Sequence, residues 1–162
     1  MFKGKTAIAT GAASGMGLLF SQKFAALGGN VLMCDVNEKV LNEKVSEINE
    51  KGEGKAAAAI CDVRDYDAVC AARDKAVSEF GSIDILVNFA GGTARRMLKV
   101  GWEADFPDVP IGVFDWGLDV NLKGPFYFAH AVLKHMRTQN SGLIVNIGSI
   151  TGAEGSGQGM DY

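Results

Sequence analysis

Five short apolar runs, none with a polar face, alternate with stretches whose apolar residues recur every three to four positions, and this alternation leaves few folds open. The runs are KTAIAT (5–10), NVLMCD (30–35), AAAAICD (56–62), IDILVNFA (83–90) and GLIVNIGS (142–149). Strands of this kind are covered by helices on both sides, which implies parallel pairing through crossover connections. The intervening stretches supply the helices. Met16, Leu19, Phe20, Phe24 and Leu27 fall on one helical face ending at Gly28 and Gly29, and Leu41, Val45 and Ile48 form a second ending at Gly52. Asp65 is the expected N-cap of a third, with Val69, Ala72, Ala76 and Phe80 on its apolar face and Gly81 at its end. A fourth helix is expected from about Asp115 to Arg137. Residues 91–114 show no sustained period and read as a long loop with room for one short helix.

Composition narrows the function classes. At 162 residues and 48% hydrophobic content the chain suits one domain with one sizeable core. A net charge of -3 gives no basic field for nucleic acid or an anionic membrane surface, so neither is an expected partner. The opening MFKGKTAIAT lacks a signal peptide's apolar stretch, and no window reaches the length of a membrane span, so a cytoplasmic protein is expected. Cys34, Cys61 and Cys70 form an odd set without paired-ligand spacing, and His130 and His135 stand five apart, so neither a disulfide framework nor a metal site is expected.

The first run leads straight into TGAASGMG, which places Gly11, Ser14, Gly15, Met16 and Gly17 where a helix opens. Bare glycines there let the backbone approach a pyrophosphate, whose charge is met by free amides at the helix N-terminus. Asp35 closes the second run eighteen residues after Gly17, where a carboxylate can accept from both hydroxyls of an adenosine ribose. The same carboxylate repels a 2'-phosphate, and Val36 and Asn37 follow it without a Lys or Arg. NAD is therefore expected over NADP.

With these residues in place the sequence resembles the short-chain dehydrogenase/reductase family along nearly its whole length. The family's T-G-x-x-x-G-x-G turn matches Thr10 to Gly17, and its adenine-side acid matches Asp62 in CDV, followed by Val63. Its N-N-A-G segment matches Asn88, Phe89, Ala90 and Gly91, with Phe89 replacing one asparagine. Asn121 in VNLKG matches the helix asparagine, Ser149 in NIGSI the catalytic serine, and Tyr162, thirteen residues on, the catalytic tyrosine.

The resemblance implies a Rossmann-type, doubly wound parallel sheet with strand order 3-2-1-4-5, binding NAD across the carboxyl ends of the strands. It implies cofactor contacts from Gly11, Ser14, Gly15, Met16, Gly17, Asp35, Asp62, Val63, Asn88, Ala90 and Gly91, and catalytic roles for Asn121, Ser149 and Tyr162. The implied activity is NAD(H)-dependent interconversion of a secondary alcohol and a ketone, in a homodimer or homotetramer. The family's tyrosine opens a Y-x-x-x-K motif whose lysine would fall four places past Tyr162, and the family's last strands have no counterpart in this sequence. Residues 1–162 therefore read as an incomplete domain from a longer protein, with 150–162 as its active-site loop. A second reading is an NAD-binding fragment or module without turnover.

Hydride transfer between a nicotinamide and a carbonyl carbon leaves negative charge on the carbonyl oxygen, so a proton donor and a hydrogen-bonding group must converge there. The resemblance assigns Tyr162 to the first task and Ser149 to the second. Pro125 stands four residues after Asn121 and cannot donate to its carbonyl. Two readings stay open at this point: a kink that exposes the Asn121 oxygen to a water, or a helix starting near Leu122 with Asn121 as N-cap. Arg95 and Arg96 are expected to be solvated, and Trp102 and Phe106 to pin their loop to the body of the protein.

Overall fold

The computed structural model describes residues 1–101 and 104–154. Its sheet has strands β1 (Thr6–Thr10), β2 (Asn30–Asp35), β3 (Ala56–Ile60), β4 (Ile85–Asn88) and β5 (Leu143–Asn146) in the order β3-β2-β1-β4-β5, all parallel. The doubly wound order expected from the sequence is the one found. Side chains on a strand alternate between faces, so each central strand feeds two cores. Ile8, Leu32 and Leu86 turn to one side, with Val69, Phe128 and Val132; Ala7, Ala9, Val31 and Met33 turn to the other, with Phe24, Leu41 and Ile48.

Helices α1 (Gly15–Ala26) and α2 (Glu38–Lys51) cover the second core, while α3 (Tyr66–Phe80) packs over the first. The Asn37 side chain caps α2 by accepting from Val40 N–H, and Asp65 caps α3 by accepting from Asp67 and Ala68 N–H. The expected inward face of α1 is corrected by the structure. Met16, Leu19 and Leu27 are 59%, 52% and 44% exposed, and the buried residues are Gly17, Ser21, Phe24 and Ala25. The helix lies so close to the first turn that small residues must face it.

The stretch 91–114 is more ordered than a plain loop. It holds α4 (Ala94–Met97) and a 3-10 turn at Phe106–Asp108, and α5 (Ile111–Gly117) begins within it. Ala94, Val109 and Val113 form a small core there. Arg95, expected at the surface, is 3% exposed, and its guanidinium donates to the carbonyls of Gly101 and Ala104 at 3.0 and 3.2 Å. Phe106 packs edge-on against Phe114, whereas Trp102 lies outside the described residues. A π turn, Leu118–Lys123, joins α5 to α6 (Gly124–Gln139), so the predicted fourth helix runs longer than expected. The last helix among the described residues, α7, is Thr151–Glu154. No helix among the described residues is long and apolar enough to cross a membrane.

A polar anchor closes the amino end of the sheet. Lys5 Nζ, Thr6 N–H and Ser82 Oγ donate to the Asp84 carboxylate at 2.7, 2.9 and 2.9 Å. Burial alone raises the carboxyl, but these donors outweigh it and hold Asp84 below the usual carboxylate range. A depressed acid stabilises the fold above its unfolded pKa, and that contribution is lost as pH falls through the folded value. Asp84→Asn is expected to cost about 1–2 kcal/mol at pH 7, the loss of a charge-assisted network. In urea melts the difference from the parent chain should shrink once pH falls below about 4. An equal difference at pH 7 and pH 3 would refute the assignment.

Candidate functional site

The carboxyl ends of β1 to β4 and the start of α1 enclose a cleft of about 460 Å³. Its floor is the first turn, where Gly11 has φ +63° and lies against the next strand's turn: a Cβ there would stand 2.9 Å from Ala90 N and Cα. A Cβ on Gly17 would enter the van der Waals radius of the Gly11 carbonyl oxygen. Backbone thus packs on backbone at two successive points, and no side chain fits at either.

Ser14 is the extended N-cap of α1, with φ -153° and no hydrogen bond from its hydroxyl to the helix, and the first turn carries no acid. Helix geometry leaves the first amides without intrahelical acceptors. Gly15, Met16 and Gly17, which own them, all line the cleft. Asp35 faces the same space. Its carboxylate accepts from Ala13 N–H at 3.0 Å and Asn37 N–H at 2.9 Å, which uses about two of a carboxylate's four acceptor positions and leaves the others for a ligand. These amides, the bare turn and the half-spent carboxylate suit a diphosphate attached to a vicinal diol, the chemistry of a dinucleotide.

Asp62 and Val63 also line the cleft, but Asp62 is engaged. Arg64 Nε lies 3.0 Å from both carboxylate oxygens, Nη2 lies 2.6 Å from Oδ2, and the Arg64 backbone N–H donates to Oδ1 at 3.0 Å. The guanidinium holds the Asp62 carboxyl below the usual range, against the opposing effect of burial. Arg64 itself lines the cleft and was not singled out from sequence, although its opposite charge two places after Asp62 in one turn was a readable signal. Cys61, Met97 and Trp116 line it as well. Burial pushes the Cys61 thiol up to about 12, with Asp62 and Asp65 adding to the shift, so it forms a neutral wall.

Ala90 and Gly91 line the cleft opposite α1, and Ala90 N–H donates to Thr10 Oγ1 at 3.0 Å. Asn88 does not reach the wall. It is buried, its Nδ2 donates to Asn146 Oδ1 at 2.8 Å, and its own Oδ1 has no partner among the described residues.

Asn121 sits inside the π turn, with helix on both sides, so it is not the N-cap of a new helix. Gly124 N–H reaches the Asp119 carbonyl five residues back, and this wider turn absorbs Pro125, which has no N–H for a four-residue bond. The Asn121 side chain grips one residue of the glycine segment through both of its flanking peptides: Gly92 N–H donates to its Oδ1, and its Nδ2 donates to the Gly92 carbonyl, both at 3.0 Å. Ser149 follows β5, where its Oγ accepts from Thr151 N–H at 3.3 Å and Thr151 Oγ1 at 2.8 Å. The 2.8 Å contact between the two hydroxyls and the Thr151 N–H hold the Ser149 side chain in place. Tyr162 lies outside the described residues.

A family model described as short chain dehydrogenase matches residues 5–162. The short-chain reductase protein NovJ of Streptomyces niveus is 38% identical over 152 residues, which are 94% of this chain and 55% of that protein. Among solved structures, an NAD+-bound xylitol dehydrogenase superposes with TM-score 0.88 at 34% identity, over 99% of this chain and 59% of its own. A 7α-hydroxysteroid dehydrogenase complexed with NADH and 7-oxo glycochenodeoxycholic acid superposes with TM-score 0.86 at 31% identity, again over 99% and 59%. The chain thus spans little more than half the length of the relatives it matches.

Proposed function

The chain belongs to the short-chain dehydrogenase family, and on that premise we propose that it carries the cofactor-binding part of an NAD(H)-dependent oxidoreductase interconverting a secondary alcohol and a ketone. The observation that carries this reading is the meeting of the bare turn, the α1 amides and Asp35 in one cleft. A neighbour named for xylitol and another holding a 7-oxo compound with NADH support the alcohol–ketone pair as the substrate class.

When bound, the nicotinamide supplies the carbon that gives or takes the hydride. The chain's own residues bind, orient and move the proton. Gly15 to Gly17 present amides to the diphosphate, and Asp35 accepts from the ribose diol. Ser149 donates its hydroxyl proton to the substrate carbonyl, held for that task by Thr151. Tyr162 gives or takes the proton on the same oxygen. Asn121 would fix Gly92, the neighbour of the cleft-lining Gly91, and in this reading would join the proton path.

The test is fluorescence titration with NADH and NADPH. NADH is expected to bind at least tenfold more tightly, because a 2'-phosphate would meet the Asp35 carboxylate. Asp35→Ser should weaken NADH about tenfold or more, the value of a charge-assisted hydrogen bond of about 1.5–3 kcal/mol, and should narrow the preference. NADPH binding as tightly as NADH to the unaltered protein would sink the proposed preference.

A further inference from the structure

We propose that the outer edge of β3 is a docking site for an extended segment of another protein, bound as an antiparallel strand that carries a basic residue near its start and an acidic residue three positions on. The site stands apart from the cleft and does not depend on what the cleft binds.

Two hydrogen bonds fix which way each β3 peptide points. Val31 N–H donates to the Lys55 carbonyl and Cys61 N–H to the Asp35 carbonyl, so the odd-numbered residues of this run pair with β2, while Ala56, Ala58 and Ile60 point outward. The first of these is closed. The Asn49 side chain of α2 accepts from Ala56 N–H at 2.8 Å and donates to the Ala56 carbonyl at 3.0 Å. Among the described residues nothing pairs with the outward N–H and C=O of Ala58 and Ile60, and Ile60 is 49% exposed at the end of the strand. An open edge of this kind is a template for another strand.

A groove of about 450 Å³ runs along this edge. Val45 of α2 walls it on one face of the sheet, and Ala68 and Ala71 of α3 wall it on the other. Those walls select the occupant. Paired strands lie about 4.8 Å apart, whereas a helix with its side chains is about 10 Å across. A second copy would bring its own α2 and α3 into that gap, and a bare extended segment brings none.

Charge sets the direction and sequence of the segment. Glu38 opens α2 three residues after Asp35, which pairs with Ile60, so it lies at the carboxyl end of the edge. Lys75 stands nine residues after Tyr66, the start of α3, about 13 Å back toward the amino end. Both line the groove, and neither forms an ion pair among the described residues. On an antiparallel strand the residue at the Ile60 end comes first. A base there meets Glu38 on the α2 side, and an acid three residues later, about 10 Å on, meets Lys75 on the α3 side, because an odd spacing puts two side chains on opposite faces.

The experiment follows the labelled peptide Thr-Lys-Val-Thr-Glu-Val, blocked at both ends, by fluorescence anisotropy as the protein is added. Binding is expected with a dissociation constant of about 1 mM or tighter, and the reversed-charge peptide Thr-Glu-Val-Thr-Lys-Val should bind about fivefold more weakly. Ala58→Pro removes an outward N–H, leaves the β2 ladder whole and sits on an edge strand, where proline is tolerated. It should weaken binding about tenfold, the value of one hydrogen bond. If thermal melts show that variant unfolded, Lys75→Glu decides. It should weaken the first peptide about fivefold and tighten the form with lysine in place of glutamate. No binding at about 1 mM, equal binding of the two peptides, or affinity unchanged in a folded Ala58→Pro or in Lys75→Glu overturns the inference. A dimer in sedimentation that Ala58→Pro dissociates also overturns it, since the edge would then belong to a second copy.

Discussion

Gly17→Ala is expected to raise the dissociation constant for NADH at least a hundredfold. The added methyl would enter the space of the Gly11 carbonyl, and Gly11 cannot retreat because its own Cα faces the Ala90 backbone. The strain must be relieved by moving α1, and with it the three amides that line the cleft. A hundredfold loss is about 2.7 kcal/mol. Overpacking of this kind should also cost about 1–3 kcal/mol of stability, measurable in the same sample by thermal unfolding. Gly15→Ala supplies the internal comparison. Gly15 has φ +54° but nothing within 4 Å of its added Cβ, so that variant carries only the left-handed strain, roughly 1–2 kcal/mol, and should bind NADH better than Gly17→Ala. NADH binding to Gly17→Ala within threefold of the parent would show that the close approach does not position the ligand.

The second large effect concerns turnover. On the proposed reading, Tyr162→Phe is expected to lower the rate of alcohol oxidation by about 10²–10⁴, the usual contribution of a positioned acid or base. Ser149→Ala should cost about 10²-fold or more, since it removes a donor aimed at developing oxyanion charge. Neither should change NADH affinity more than threefold, because neither residue belongs to the turn, the α1 amides or Asp35. Thr151, 2.8 Å away through its own hydroxyl, holds the Ser149 side chain in place. Full rates in either variant would remove that residue from the chemistry.

The parallel sheet was legible because buried parallel strands leave long apolar runs, its strand order came with the family resemblance, and the cap at Asp65 is built from hydrogen bonds within two or three residues. Three features were not. The face of α1 was misread because Met16, Leu19 and Leu27 keep helical spacing yet stay exposed, the inward side being set by the Gly17–Gly11 approach between residues of different elements. The segment 91–114 hid its order because its centre is a charged residue, Arg95, satisfied by carbonyls six and nine positions on. Pro125 announced a disturbed helix but not its form, since a π turn and a kink both answer the missing N–H.

Of the cleft's lining, the glycines and Asp35 were readable from their places after the first apolar run and at the end of the second. The engagement of Asp62 by Arg64, the burial of Asn88 behind the wall and the grip of Asn121 on Gly92 depend on side-chain directions that a motif does not carry.

A crystal structure of the protein grown with NADH measures the central claim most directly. It should show the diphosphate on the amides of Gly15 to Gly17 and the adenosine ribose hydroxyls within hydrogen-bond distance of Asp35. A diphosphate bound away from the first turn, or a ribose with no contact to Asp35, would contradict the account.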